Sequence, residues 1–192
     1  YYAGTVSAKF YPDADPESTS IDGYTYRSVG NETFTTIRNG TGTYAESSSS
    51  ALTIAYLAAG SVDQRWNAQS RGILLFDSST LPTILTIKHA TINMYGRTKS
   101  DELGGAEICL VSSSPASNTA VVNADYEIAN FGTDELSTNR ISYADWDITG
   151  YNTFILNSDG RSNIDKDGVS KFGFRSGWDF DNTAPTWVYG KI

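Results

Sequence analysis

Arg71-Gly72-Ile73-Leu74-Leu75-Phe76-Asp77-Ser78-Ser79-Thr80-Leu81-Pro82 decides the fold, and Ile87-Lys88-His89-Ala90-Thr91-Ile92-Asn93-Met94-Tyr95 follows close behind it. Ile73 to Phe76 is an unbroken apolar run that ends in an Asp-Ser-Ser-Thr-Leu-Pro turn. The second segment alternates, with Ile87, His89, Thr91, Asn93 and Tyr95 on one side and Lys88, Ala90, Ile92 and Met94 on the other. Strands repeat every two residues and helices every 3.6, and neither segment sustains the i, i+3, i+4, i+7 pattern. The centre of the chain reads as two strands around a proline-ended loop, and no catalytic motif lies in it.

Outward from this centre, Asp22-Gly23, Asn39-Gly40, Gly104-Gly105, Asp159-Gly160 and Asp167-Gly168 act as turn signals. They punctuate segments of about six to ten residues, the spacing of a sandwich or barrel. Strands are expected near 4–11, 24–29, 34–38, 51–58, 71–77, 87–96, 106–112, 141–148, 152–156, 170–175 and 185–189. Helical turns are expected near 119–126, capped by Asn118, and near 157–164, capped by Asn157 or Ser158. A chain of 192 residues fits one domain, large enough to bury roughly 70% of its unfolded surface. Twelve Tyr and four Trp among many Ser, Thr, Asn and Gly suit a secreted β-protein. The net charge of −8 and the lack of any basic cluster argue against nucleic acid as a partner. No run of 18 apolar residues is present, so no helical membrane span is expected. Cys109, alone within Ala106-Glu107-Ile108-Cys109-Leu110-Val111, reads as a small hydrophobe in a buried strand.

The same residues resemble a known family. Arg71, Leu74, Phe76, Asp77, Ser78, Ser79, Leu81, Pro82, Ile87, Ala90, Ile92 and Tyr95 follow the pattern of DNRLRE-type domains. The likeness continues through Asn118 to Tyr126, then Trp146, Gly150, Tyr151, Phe154, Leu156 and Asn157, and ends with Gly168 to Arg175 and Ala184 to Trp187. It implies an all-β, jelly-roll-like antiparallel sandwich with one or two short helical turns, located outside the cell or on a cell or virion surface. Such domains serve as glycan-binding modules and as pieces of surface, appendage and virion proteins.

On that resemblance, residues 10–192 form the domain, which begins near Phe10 to Glu17, and residues 1–9 precede it as an extension. The extension alternates, with Tyr2, Val6, Ala8 and Phe10 on one face. Related domains continue past the end of this chain through a closing strand, so the sandwich is expected to lack one. An N-terminal strand from a neighbouring copy could fill the open groove, and repeated head to tail this contact builds a filament. The alternative is that residues 1–9 extend the first strand of their own domain.

Catalysis is not expected. His89 falls mid-strand away from any nucleophile motif, and no Gly-x-Ser-x-Gly, His-Glu-x-x-His, Walker or dinucleotide signature occurs. Asp13 with Asp15, Asp145 with Asp147 and Asp179 with Asp181 form carboxylate pairs, which a glycan-cleaving enzyme would need across a cleft. No cofactor is expected, with calcium as the one candidate. Asn163, Asp165 and Asp167 match the first half of a calcium loop, with Gly168 at the turn, but position twelve is Phe174 where a bidentate Glu is required.

Glycan modules stack sugar rings on exposed aromatics. Tyr24, Tyr26, Tyr44, Trp66, Trp178 and Trp187 are the candidates by their turn-rich neighbourhoods, whereas Trp146 reads as core. A polyanionic glycan would also need cations, for which Arg65, Arg71, Arg97, Lys99 and Arg175 are available but scattered. The leading expectation is a structural subunit of an extracellular filament, appendage or virion surface, polymerising with copies of itself through Tyr2, Val6, Ala8 and Phe10. The alternative is a non-catalytic carbohydrate-binding module whose partners are surface glycans.

Overall fold

The computed structural model describes residues 7–13, 18–47 and 52–189. Strand outweighs helix, 34% to 13%, and every pairing is antiparallel, so the fold is all-β and sandwich-like, with two sheets and no closed barrel. The elements are β1 (Asp22–Glu32), α1 (Phe34–Asn39), β2 (Tyr44–Glu46), β3 (Leu57–Ala59), β4 (Trp66–Asp77), β5 (Thr91–Tyr95), β6 (Glu107–Ser112), β7 (Ile141–Ser142), β8 (Tyr151–Ile155), α2 (Ser158–Ser162), β9 (Val169–Ser176) and α3 (Gly177–Phe180), with two 3-10 turns at Asn123–Tyr126 and Ile128–Asn130. Seven strands make the large sheet, in the order β2-β1-β4-β9-β6-β7 with β3 also on β4, and β5 and β8 make the small one.

β4 carries the run that decides the fold, and its place at the sheet centre explains why that run does not alternate. Leu74 packs with Leu110, Phe154, Phe172 and Phe174 in the core between the sheets. Ile73 and Leu75 pack on the opposite face with Ile21, Val111, Val121 and Phe131. A strand covered on both faces is apolar at successive positions rather than every second one. Phe34, Ile37 and Trp66 build a third, smaller cluster.

The outer layer over Ile73 and Leu75 also holds a buried ionic knot. Arg71 donates from Nε and Nη2 to the Asp179 carboxylate at 2.8 Å each, and Arg175 donates from Nε to the same carboxylate at 2.9 Å. All three side chains are sealed from solvent. Arg71 also donates from Nη1 to the Tyr126 carbonyl, and its guanidinium lies 4.3 Å from the Tyr126 ring centroid. Arg38 donates to the Asp179 carbonyl at 2.8 Å, tying α1 to α3.

Several sequence expectations need correction. Residues 34–38 are helical rather than a strand: Phe34 and Ile37, three apart, share the buried face, and the Thr33 hydroxyl caps the helix by accepting from the Thr36 amide at 3.1 Å. Residues 7–11, the described part of the strand expected at 4–11, lie outside any strand. Strand covers only 57–58 of the segment expected at 51–58 and only 141–142 of that at 141–148, and 185–189 is irregular. Trp187 there is held through Nε1 donating to the Gly60 carbonyl at 3.0 Å. Asn118 caps nothing. The first 3-10 turn starts at Asn123, and the Asp125 carboxylate accepts from the Val122 and Ala116 amides at 2.8 Å each. Gly23 lies within β1 and Gly160 within α2, so neither marks a turn. Asn157 does cap α2, accepting from the Gly160 amide at 2.8 Å. Cys109 is fully buried in β6, as the sequence suggested, and burial pushes its thiol up to about 12.

Candidate functional site

The small sheet presents one face to the core and one to water. Ile92 lies opposite Phe154 and Met94 opposite Asn152; Ile92 and Phe154 are buried beneath the large sheet. The period of two then turns the intervening pairs outward: Thr91 with Ile155, Asn93 with Thr153, and Tyr95 with Tyr151. Tyr95 is 61% exposed and Tyr151 70%. Their rings meet edge to face at 5.3 Å between centroids and 85°, a geometry that leaves one ring face free for a ligand. The Tyr95 hydroxyl is anchored by donating to the Thr149 carbonyl at 2.7 Å. Beside the rings the Thr153 hydroxyl donates to Asn93 Oδ1 at 2.7 Å, and Asn93 Nδ2 donates to the Thr91 hydroxyl at 3.1 Å. None of the six outward residues carries a charge.

A cleft of about 380 Å³ adjoins this face, lined by Asn139, Arg140, Ile141, Asp145, Asp147, Tyr151, Asn152 and Thr153. Tyr151 and Thr153 belong to both the face and the cleft. Asp147 Oδ1 accepts from the Thr149 amide at 2.8 Å and its hydroxyl at 2.9 Å, which holds the carboxyl below the usual range. Asp145 Oδ2 accepts from the Ser142 hydroxyl at 2.7 Å. Arg140 is enclosed by carboxylates, donating to Glu135 at 2.6 and 3.0 Å, to Asp181 at 2.7 Å from two nitrogens, and to Glu107 at 3.3 Å. A larger cleft of about 620 Å³ is lined by Ser18, Thr19, Asp77, Ser79, Ser117 and Thr119 among others, with no aromatic ring in its wall.

The aromatic residues singled out from sequence divide into two groups. Tyr24, Tyr26 and Tyr44 come together across β1 and β2, with centroids 4.9–6.3 Å apart. Tyr24 and Tyr26 are half-buried and nearly parallel, at 12°, so their ring faces are largely turned on each other. Tyr44 is exposed, with its hydroxyl donating to Glu46 at 2.7 Å. Trp66 has no exposed surface and cannot stack on a sugar, because Phe34 and Ile37 cover it. Trp178 and Trp187 pack against the same cluster and are partly buried. Trp146, read as core, is partly buried against the main core.

Of the remaining candidates, Tyr2 and Val6 lie outside the described residues, Ala8 is exposed and Phe10 is half-buried. Asn163, Asp165 and Asp167 share a loop, in which Asn163 bonds β9 and Asp165 bonds the loop itself. Asn163 Nδ2 donates to the Lys171 carbonyl at 2.8 Å, and Asp165 Oδ1 accepts from the Asp167 amide at 2.9 Å. Among the described residues no three His, Cys, Asp or Glu side chains converge on a metal position. His89 is exposed and sits ahead of β5 rather than within a strand. Asp13 gathers the amides and hydroxyls of Ser18, Thr19 and Ser20, and the bonds from Thr19 and Ser18 lower its pKa. Its pair Asp15 lies outside the described residues. Asp179 and Asp181 face different partners, one in the buried knot and one on Arg140.

Sequence reasoning missed the Tyr95–Tyr151 pair. Its signal was present: Tyr95 alternates with Thr91 and Asn93, and Tyr151 with Thr153, so each falls off the face that carries Ile92 and Met94 or Phe154. Compared with known proteins, the chain matches no family model, no curated protein and no solved structure. The resemblance to DNRLRE-type domains therefore rests on the motif residues alone.

Proposed function

We propose that this protein is a non-catalytic carbohydrate-binding β-sandwich that takes a glycan on the outer face of β5 and β8. The exposed Tyr95–Tyr151 pair beside a polar cleft carries this reading. A pyranose ring turns a C–H face toward the electron-rich face of tyrosine while its hydroxyls seek amides and carboxylates. Asn93 and Thr153 supply such groups on the same face, and Asn139, Asp145 and Asp147 supply them in the adjoining cleft. The test is native electrophoresis through gels containing a panel of soluble polysaccharides. At least one polymer should retard the protein, and Tyr151→Ala and Tyr95→Ala should each weaken retention roughly tenfold. Mobility unchanged by every polymer sinks the reading.

A second reading is favoured by the edge of β5. The Gly96 amide bonds the Gly150 carbonyl and the Leu156 amide bonds the Ala90 carbonyl, so even-numbered residues face β8. The backbone groups of Thr91, Asn93 and Tyr95 then point away from β8, and among the described residues no strand pairs with them. Such an edge can accept an extended segment, here residues 2–10 of a second copy, to give a homopolymer at a cell or virion surface. Electron microscopy and sedimentation of the chain with and without residues 1–9 test this. Fibres that vanish on deletion support it, and monomers from both forms exclude it.

A further inference from the structure

We infer that the glycan taken at Tyr95 and Tyr151 is an uncharged one, a neutral polysaccharide rather than a uronic-acid or sulfated polymer; this rests on the glycan-binding reading above. The six side chains of the outer face are Tyr, Ile, Thr and Asn, which recognise hydroxyls and C–H faces but neutralise nothing. The adjoining cleft adds two carboxylates, Asp145 and Asp147. Its single cation, Arg140, is already surrounded by Glu135, Asp181 and Glu107, so the cleft and its rim carry more negative charge than positive. Lys99 is also engaged. Its ammonium donates to the carbonyls of Tyr143 at 2.8 Å, Trp146 at 2.9 Å and Ala144 at 3.4 Å, and it lies 4.7 Å from the Tyr143 ring centroid. Arg71 and Arg175 are sealed in the knot with Asp179 and cannot reach a ligand.

Arg97 is exposed, two residues beyond Tyr95. One arginine does not offset the two carboxylates of the cleft, so an anionic chain meets repulsion there, and the chain-wide charge of −8 adds to it at low salt. Neutral hydroxyls, in contrast, are good donors to Asp145 Oδ1 and to the remaining lone pairs of Asp147.

The experiment compares gel retention by galactomannan and mixed-linkage β-glucan with retention by alginate and pectate, at about 20 and about 200 mM salt. The expected result is retention by a neutral polymer that changes less than about twofold with salt, is lost in Tyr151→Ala and survives in Arg97→Gln. The uronate gels should leave the wild type unretarded, and Asp145→Asn combined with Asp147→Asn should raise its affinity for alginate. Retention by alginate or pectate that falls steeply with salt and on Arg97→Gln overturns the inference and leaves the glycan reading standing. Free migration through every gel overturns both.

Discussion

Arg71 and Asp179, 108 residues apart in the chain, are joined by two parallel hydrogen bonds of 2.8 Å with both side chains closed to solvent. A carboxylate in that position loses its hydration, which alone would raise its pKa, but the hydrogen bonds and charges of Arg71 and Arg175 outweigh this and hold it well below the usual range. The pair links the strand that founds the sheet to the last helix. Removing Asp179 strands two buried guanidinium groups. Asp179→Ala should destabilise the fold by about 3–5 kcal/mol, read as a lower urea midpoint, whereas an exposed control such as Asp134→Ala should change it by less than about 0.5 kcal/mol.

The same pair sets a pH dependence. Because the folded carboxyl titrates below its unfolded value of 3.8, its contribution is fully present above about pH 4 and is lost as pH falls further. Stability measured by urea unfolding should therefore fall from pH 5 to about pH 2. Asp179→Asn, if folded, should show a shallower acid slope; an unchanged slope would assign the acid sensitivity to other carboxyls such as Asp13 and Asp147.

Gln69 is buried in the first half of β4 with neither amide atom hydrogen-bonded among the described residues. An unmet buried amide costs roughly 1–3 kcal/mol. Gln69→Met keeps the length and removes the polar atoms, so its urea midpoint should rise with an unchanged m-value. A fall would place a bound water on the amide.

Gly96 follows β5 at a point where a Cβ would lie 1.8 Å from the Asp147 carbonyl oxygen. Backbone must move to admit even alanine. Gly96→Ala should cost at least about 2 kcal/mol and weaken any ligand at Tyr95 and Tyr151, since it displaces the turn that carries Asp147. Gly104→Ala, at φ 75° with open space around it, should cost only about 1 kcal/mol, and binding should be untouched.

Cys109 has no exposed surface, and burial raises its thiol to about 12. The reactive thiolate is therefore scarce at neutral pH. Disulfide reagents should label the native protein at the rate of unfolding, and rapid labelling of folded protein would contradict the packing of β6.

The strand content and the strand at 71–77 were legible because an apolar run between turn residues has few other solutions. Asn157 as a cap was legible for the same local reason. Residues 34–38 misled because Phe, Thr and Ile favour strands, whereas Phe34 and Ile37, three apart, share a face only in a helix, where both pack on Trp66. The segments expected as strands at 51–58, 141–148 and 185–189 misled because alternation marks a face without naming a partner strand. The Asp179 knot left no local trace: a lone Arg and a lone Asp look solvated until the fold brings them together. Trp66 was misplaced by its turn-rich neighbours, while Tyr95 and Tyr151, 56 residues apart by number, share a face only through the β5–β8 register.

The place of β4 between β1 and β9 also has a consequence in time. Leu74 lies opposite Phe172, so a ribosome that has just made β4 must add nearly a hundred more residues before its partner strand exists. At 5–20 residues per second that wait lasts roughly 5–20 s, during which a strand apolar on both faces has only β1 and the three-residue β3 beside it. A nascent chain of this protein is thus most prone to aggregation midway through synthesis, and delayed translation between Asp77 and Val169 should lower its soluble yield more than the same delay after Phe180.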